Sequence, residues 1–388
     1  MSVPPLRFQE FEDEWKMATL GKLSTVITSG SRDWSQYYSS VGPKFIRMTN
    51  LPRDGIDLLL DDLKYVSLPD DSSEGLRTLL QEGDVLISIT AELGKIGLVP
   101  RELGPAYINQ HNALVRPSLD RVSASFLAQH LATKASNKRL NRLNDSGAKS
   151  GLNLSTVRAF KIFTPSLPEQ KKIAAFLGVV DAKITALRAK VSGLETYKRG
   201  LMQVLFDQRL RFTRPNDTDF PDWEEKKLGE VANIRTGKKD VNEGNPNGKY
   251  PFFTCAKAHT YSDEYSFDCD AILIAGNGEV GHCQRYSGRF EAYQRTYVLS
   301  DFEVLFDYAF AFLSNKFTQH VESLTQMGAM PYIRMATLSD FSLPVPHPDE
   351  QQKIADALSA LDAKIQLASA QVSHMETFKK GLLQQMFL

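Results

Sequence analysis

The stretch from Glu169 to Phe206 is written twice in this chain. Moved by 181 residues without a gap it lies over Glu350 to Phe387, and 20 of the 38 aligned positions are identical. A duplication of this kind constrains architecture before any local propensity does. Each copy carries apolar residues at alternating steps of four and three. The first has Ile173, Leu177, Val180, Ile184, Leu187, Val191, Leu194, Leu201 and Leu205; the second has Ile354, Leu358, Leu361, Ile365, Ala368, Val372, Met375, Leu382 and Met386. That spacing predicts a coiled-coil seam of about five heptads on helices close to 60 Å long. Neither helix can hide its stripe alone, so each copy is the expected partner of the other.

Two kinds of residue interrupt the seam. Lys198 and its copy Lys379 occupy core-type positions, where a charge either fixes register or marks a place where the coil splays and the lysine stem reaches outward. The flanking Tyr197/Phe378 and Gly200/Gly381 favour splaying. Gly178, Gly193 and Gly200 each cost about 1 kcal/mol against alanine in a helix interior, which implies close approach by something or a local kink.

A chain of 388 residues has room for two or three cores, and 42% hydrophobic with 24% charged residues is an ordinary globular composition. No apolar run reaches membrane-spanning length and the N-terminus lacks a signal-peptide pattern, so a cytoplasmic address is expected. Cys255, Cys269 and Cys283 stand fourteen residues apart and form no C-x-x-C pair, which reads as free thiols rather than a zinc site or a disulfide frame. Net charge is zero, which argues against an all-round basic coat but leaves a local basic face open.

The globular parts repeat more loosely than the helices. Residues 1–165 read as a mixed α+β domain, with strands near Phe45–Met48, Asp84–Ile89 and Phe160–Phe163 and a helical pattern from Ser125 to Leu143. A helix over 166–210 follows, opened by Ser166 and Glu169 at capping-box spacing. A second domain over 211–345 and a second helix over 346–388 complete the chain. Trp223 and Leu228-Gly229 match Trp15 and Leu20-Gly21 at an offset of 208; Gln294 matches Gln110; Gly328-Ala329 matches Gly147-Ala148 at 181. The whole chain is therefore one unit duplicated, the helices kept alike and the domains diverged. Two readers of different ligands of one class, on a fixed spacer, satisfy that pattern.

Catalytic signatures are missing. There is no phosphate-binding G-x-x-x-x-G-K-[ST], no G-x-G-x-x-G opening a helix, and no Asn/Asp-Pro-Pro-aromatic; Asp62-Leu63-Lys64, with Asp57 upstream, is a nuclease-like tripeptide common by chance. Nucleic-acid chemistry is better represented. Lys134, Lys138 and Arg142 fall at i, i+4, i+8 with Arg139 beside them, a candidate phosphate track running toward Lys149 in a glycine-rich loop. Further candidates are Arg32 among the aromatics Trp34, Tyr37 and Tyr38, and Arg47 at a strand end. In the second domain they are Lys238, Lys239, Lys257, Arg285, Gln294, Arg295 and Arg334. On residues alone, a DNA-targeting enzyme and a coiled-coil scaffold joining two protein-binding domains compete with a pure DNA reader.

The order of parts, together with Pro165-Ser166-Leu167-Pro168-Glu169-Gln170-Lys171-Lys172-Ile173 and Pro346-His347-Pro348-Asp349-Glu350-Gln351-Gln352-Lys353-Ile354, resembles the specificity subunit of type I restriction-modification enzymes. So do the two Asp-Ala-Lys-Ile stretches and the two Lys-x-Gly-Leu endings. The second proline motif departs from the first in lacking its serine. The resemblance covers almost the full chain. It implies two target recognition domains, each reading half of a split double-stranded DNA sequence, with the long helices packed antiparallel as the spacer. It also implies two docked methyltransferase subunits and motor-nuclease subunits, with S-adenosylmethionine, ATP and magnesium on those partners and no chemistry or cofactor in this chain.

Overall fold

The computed structural model describes residues 3–69, 75–143, 151–326 and 332–388. Two helices dominate, Leu167–Phe206 and Pro348–Met386. They run through two compact units that are not consecutive pieces of chain. The first unit joins residues up to Leu187 to Gln371–Leu388; the second is Arg188–Ala370. Each unit thus owns one globular part and a piece of both helices.

In the first unit a four-stranded antiparallel sheet has the order Ser24–Ser29, Asn112–Pro117, Val85–Ser88, Ile96–Leu98. A three-stranded sheet sets Tyr38–Ile46 between Lys64–Val66 and Ala106–Ile108, the last pairing parallel. Lys16–Thr19 pairs with Lys161–Thr164, the strand that leads into the first long helix. The helical pattern near 125–143 is two helices, Ala124–Ala132 and Lys134–Arg142, broken at Thr133, whose hydroxyl caps the second.

The second unit repeats this plan with one fusion. The strands corresponding to Ile96–Leu98 and Ala106–Ile108 become a single strand, Cys283–Ala292, so its two sheets merge into six strands. That strand pairs antiparallel with Phe267–Ala275 and parallel with Tyr250–Phe253. Glu224–Lys227 pairs with Ser342–Val345 ahead of the second long helix. The three cysteines form no disulfide, and burial pushes the pKa of the Cys283 thiol up to about 12.

Within each unit the seam serves two partners. Ile173, Leu177, Val180 and Ile184 enter one core with Trp15, Phe126, Leu382, Met386 and Phe387. Met202, Leu205, Ile354 and Leu358 enter the other with Leu228, Tyr308 and Phe312. Each buried aliphatic side chain of this kind contributes about 1.5–3 kcal/mol of transfer free energy. The helix pieces are therefore part of the domain cores and do not pack on each other alone.

The Glu-Gln pair that opens each helix is the anchor. Glu169, fully buried, accepts two hydrogen bonds from Arg7 at 2.8 Å and one from the Trp15 indole at 3.3 Å. Glu350, also fully buried, accepts from Arg211 at 3.1 and 2.8 Å and from the Trp223 indole at 3.0 Å. Gln170 accepts from the Ser123 backbone N–H and donates to the Pro165 carbonyl; Gln351 does the same with Leu305 and Pro346. The capping-box spacing of Ser166 and Glu169 is thus used differently: the carboxylate turns into the domain, because an arginine and an indole there offer stronger donors than a helix-end amide.

The two seam lysines also differ from expectation. Lys379 meets Asp181 at 2.5 Å in the first unit, and Lys198 meets Asp362 at 2.6 Å in the second. Each lysine is thus taken up by an acid of the other helix rather than left to reach outward, and the acids are those of the two Asp-Ala-Lys-Ile stretches. The roles of the two helices are exchanged between the two pairs. The helix glycines are not sites of close approach within the chain either, since a Cβ added at Gly178, Gly193, Gly200 or Gly381 would meet nothing within 4 Å.

Candidate nucleic-acid interface

The ends of the central strands build one construction twice. After Ser24–Ser29 the chain crosses directly over the segment that leaves Ala106–Ile108. Gly30 makes this possible: a Cβ there would lie 2.0 Å from the Ile108 carbonyl oxygen. In the second unit Gly237 holds the same place, 1.8 Å from that of Ala292. The crossing is stitched by short parallel bridges, Ser31 with Asn109 and Lys239 with Tyr293.

The crossed segment then makes a tight turn in each unit. Asn112 N–H donates to the Asn109 carbonyl at 3.2 Å, and Thr296 N–H to the Tyr293 carbonyl at 2.8 Å, closing four-residue turns. Gln110 and Gln294 are the second residues of these turns. Their backbone N–H groups donate to Ser31 and Lys239. Beside each turn the chain re-emerges from residues outside the described set: Leu152 N–H donates to the Ile89 carbonyl, and Ile333 N–H to that of Gly276. The Gly147-Ala148 and Gly328-Ala329 matches, and Lys149, lie outside the described residues.

Pairing sorts the candidate basic residues. In the first unit Arg32, Lys138 and Arg142 are exposed and have no hydrogen-bond or ion-pair partner among the described residues. Lys134, also exposed, stands beside Lys380, whose charge holds its ammonium below the ordinary range. Lys134, Lys138 and Arg142 share one helix whose other face buries Ser136 and Leu140. Arg47 and Arg139 belong to the fold. Arg47 bonds Asp62 at 2.8 Å, and Arg139 donates to the Lys161 carbonyl at 2.6 Å while lying over Phe160. Asp62 is therefore taken up by an arginine rather than aligned with Lys64 and Asp57 as a nuclease centre. Among the described residues no three His, Cys, Asp or Glu side chains gather as a metal site.

Of the second unit's candidates, Lys238 and Arg295 are exposed and have no side-chain hydrogen-bond or ion-pair partner among the described residues. Lys239 is drawn in by Glu264 at 3.0 Å, which raises its pKa, with Glu291 at 3.9 Å. Lys257 meets Glu279 at 3.6 Å, Arg285 meets Asp307 at 2.7 Å, and Arg334 bonds and stacks on Tyr332. Carboxylates decide the outcome for Lys239, Lys257 and Arg285 and a tyrosine for Arg334, and these partners sit 2 to 52 residues away in sequence with no spacing rule to reveal them. Arg295 is the third residue of the turn that carries Gln294, and Lys238 precedes the residue bridged to that turn, as Arg32 follows the residue bridged to the turn of Gln110. Gln110 enters the sequence reading only as the match to Gln294; what its repetition marked is the turn.

A family model for the type I restriction modification DNA specificity domain matches residues 12–195 and again 221–374. The chain belongs to this family. It is similar to the type I restriction enzyme EcoDI specificity subunit of Escherichia coli, 34% identical over 166 residues that cover 42% of this chain and 36% of that one. The MjaVIII specificity subunit of Methanocaldococcus jannaschii is 25% identical over 260 residues, 58% of this chain and 60% of that one. The chain thus spans between about a third and three fifths of the length of these relatives. In fold it resembles the S subunit of the type I restriction-modification system from M. genitalium, with a TM-score of 0.62 at 16% identity over 100% of this chain and 99% of that one. A chain from a study of complex assembly and conformational transition in the type I R-M system gives 0.60 at 17% identity, covering 97% and 98%.

Proposed function

We propose that this chain is the DNA-specificity subunit of a type I restriction-modification system. Each unit reads one half of a split duplex sequence, and the long helices set the number of unread base pairs between the halves. The observation that supports this most directly is the repeated crossing and turn, one frame in two copies whose surrounding charges differ. A reader of two different sequences on one backbone needs that combination.

In this reading the chain performs no chemistry. Methyltransferase subunits, two per chain, dock on the helices and motor-nuclease subunits join them, bringing S-adenosylmethionine, ATP and magnesium. The place of action is the cytoplasm, where the DNA is; among the described residues no helix is long and apolar enough to cross a membrane.

Removing one heptad from each long helix in register, about 10 Å, is expected to shift the spacer by roughly three base pairs and leave both half-sequences intact. Mapping modified sites in a host carrying the altered chain and its partners reads this directly. An unchanged spacer would sink the ruler. Lys138→Ala and Arg142→Ala are each expected to weaken binding to all duplexes alike and to lower the salt slope by about one, as phosphate contacts do. A loss limited to one sequence would make them base readers instead.

A further inference from the structure

We propose that Gln110 and Gln294 are the base-reading residues that the two units share, each reading the major-groove edge of one adenine in its own half-sequence. The proposal rests on the DNA-reading function above and assigns the atoms that carry it.

The two glutamines occupy the same backbone position, second in a four-residue turn whose first carbonyl and last N–H are bonded. The turn is closed without the glutamine side chain. The turn is held through backbone groups, Gln110 N–H on Ser31 and Gln294 N–H on Lys239. Gln110 is half-buried and Gln294 exposed.

Each amide is tethered by its nitrogen alone. Gln110 Nε2 lies 3.2 Å from His111 Nε2, and His111 Nδ1 lies 2.7 Å from Thr90 Oγ1. With the amide donating, His111 Nε2 accepts and its Nδ1–H is directed to Thr90. Gln294 Nε2 donates to Asp240 Oδ2 at 3.2 Å. An amide nitrogen carries two hydrogens, so one N–H and the carbonyl oxygen remain for a ligand in both units. Adenine offers the complement in the major groove, N7 as acceptor and the N6 amino group as donor. The tether removes side-chain freedom before binding, which favours a single bidentate geometry. Arg32 in the first unit, and Lys238 with Arg295 in the second, place exposed cations with no ion pair among the described residues next to each turn, where the duplex backbone would run.

The test selects preferred duplexes from a pool randomised in both half-sequences, using the full chain assembled with its methyltransferase subunits. Gln110→Ala is expected to lose about 10- to 100-fold discrimination at one adenine of the half read by the first unit, with the other half and the salt slope unchanged. Gln294→Ala is expected to do the same in the other half only. Equal weakening on every sequence with a shallower salt slope would reassign the residues to phosphate. Relaxation of both halves together, or a lowered melting temperature with unchanged preference, would make them structural. If the unaltered assembly selects no split sequence, the function itself fails. If it selects one and both variants select it equally well, only this inference fails.

Discussion

Glu169→Ala is expected to destabilise the first unit by about 3–5 kcal/mol, the range for removing one partner of a buried ion pair. The carboxylate has no exposure, whereas the Arg7 side chain is only 11% exposed. Its loss leaves the Trp15 indole without its acceptor and the Arg7 guanidinium with the Asp13 carbonyl alone. Arg7 donates to the carboxylate through two nitrogens, and once that carboxylate is gone the guanidinium, which stays protonated in proteins, cannot shed its charge. Glu350→Ala should act likewise on the second unit, less strongly, because Arg211 is 23% exposed and retains two carbonyls, Phe220 and Pro221, where Arg7 retains that of Asp13. Urea denaturation followed by tryptophan fluorescence, from Trp15 and Trp34 in the first unit and Trp223 in the second, measures both. The double substitution Arg7→Met with Glu169→Leu should recover most of the loss, since it removes the orphaned charge along with its partner. A cost below about 1 kcal/mol for Glu169→Ala would show that the helix is held by apolar packing alone.

The second large effect is on pH. His130 is fully buried, its ring 5.2 Å from that of Phe387 and 6.1 Å from that of Phe126, with Ser136 as the partner of Nδ1 and none for Nε2. Burial lowers its pKa from 6.5 to about 4, and Arg139 adds to the shift. The native state therefore holds the ring neutral while the unfolded chain protonates it near 6.5. The stability that follows is complete above pH 6.5, falls as pH drops from there to 4, and then levels off. The difference amounts to roughly 3 kcal/mol by pH 4. Carboxylates contribute to the same acid limb, so the measurement is the comparison with His130→Leu, whose stability should decline more gently between pH 6.5 and 4. Identical slopes for the two proteins would place the titration elsewhere.

What could be read from sequence follows the range of the interactions involved. The helices and their seam are local, periodic and present twice, and they lie at Leu167–Phe206 and Pro348–Met386. The Glu-Gln motif was visible, but its meaning was hidden because Arg7 lies 162 residues from Glu169 and Arg211 lies 139 from Glu350. For the same reason Lys198 and Lys379 read as misfits until Asp362 and Asp181 are set opposite them. Basic residues were visible as a class, yet sequence cannot separate Lys138, left open to solvent, from Arg139 next to it, which is held by a strand carbonyl and a phenyl ring. The turn glutamines were legible only through their repetition, because a turn closed by crossing chains has no short-range signature.

The segment Gln371–Leu388 bears on how the protein is made. It supplies Leu382, Met386 and Phe387 to the core that holds Trp15 and Phe126, although the whole second unit lies between it and Leu187 in the chain. During synthesis the ribosome must therefore deliver all of the second unit before the first can close. Through that interval Trp15, Phe126 and the seam face from Ile173 to Ile184 lack their final cover, an interval in which exposed apolar surface invites misassembly. The second unit, a continuous stretch of chain, has no such delay. Of the two units, the one whose chain emerges earlier is completed later.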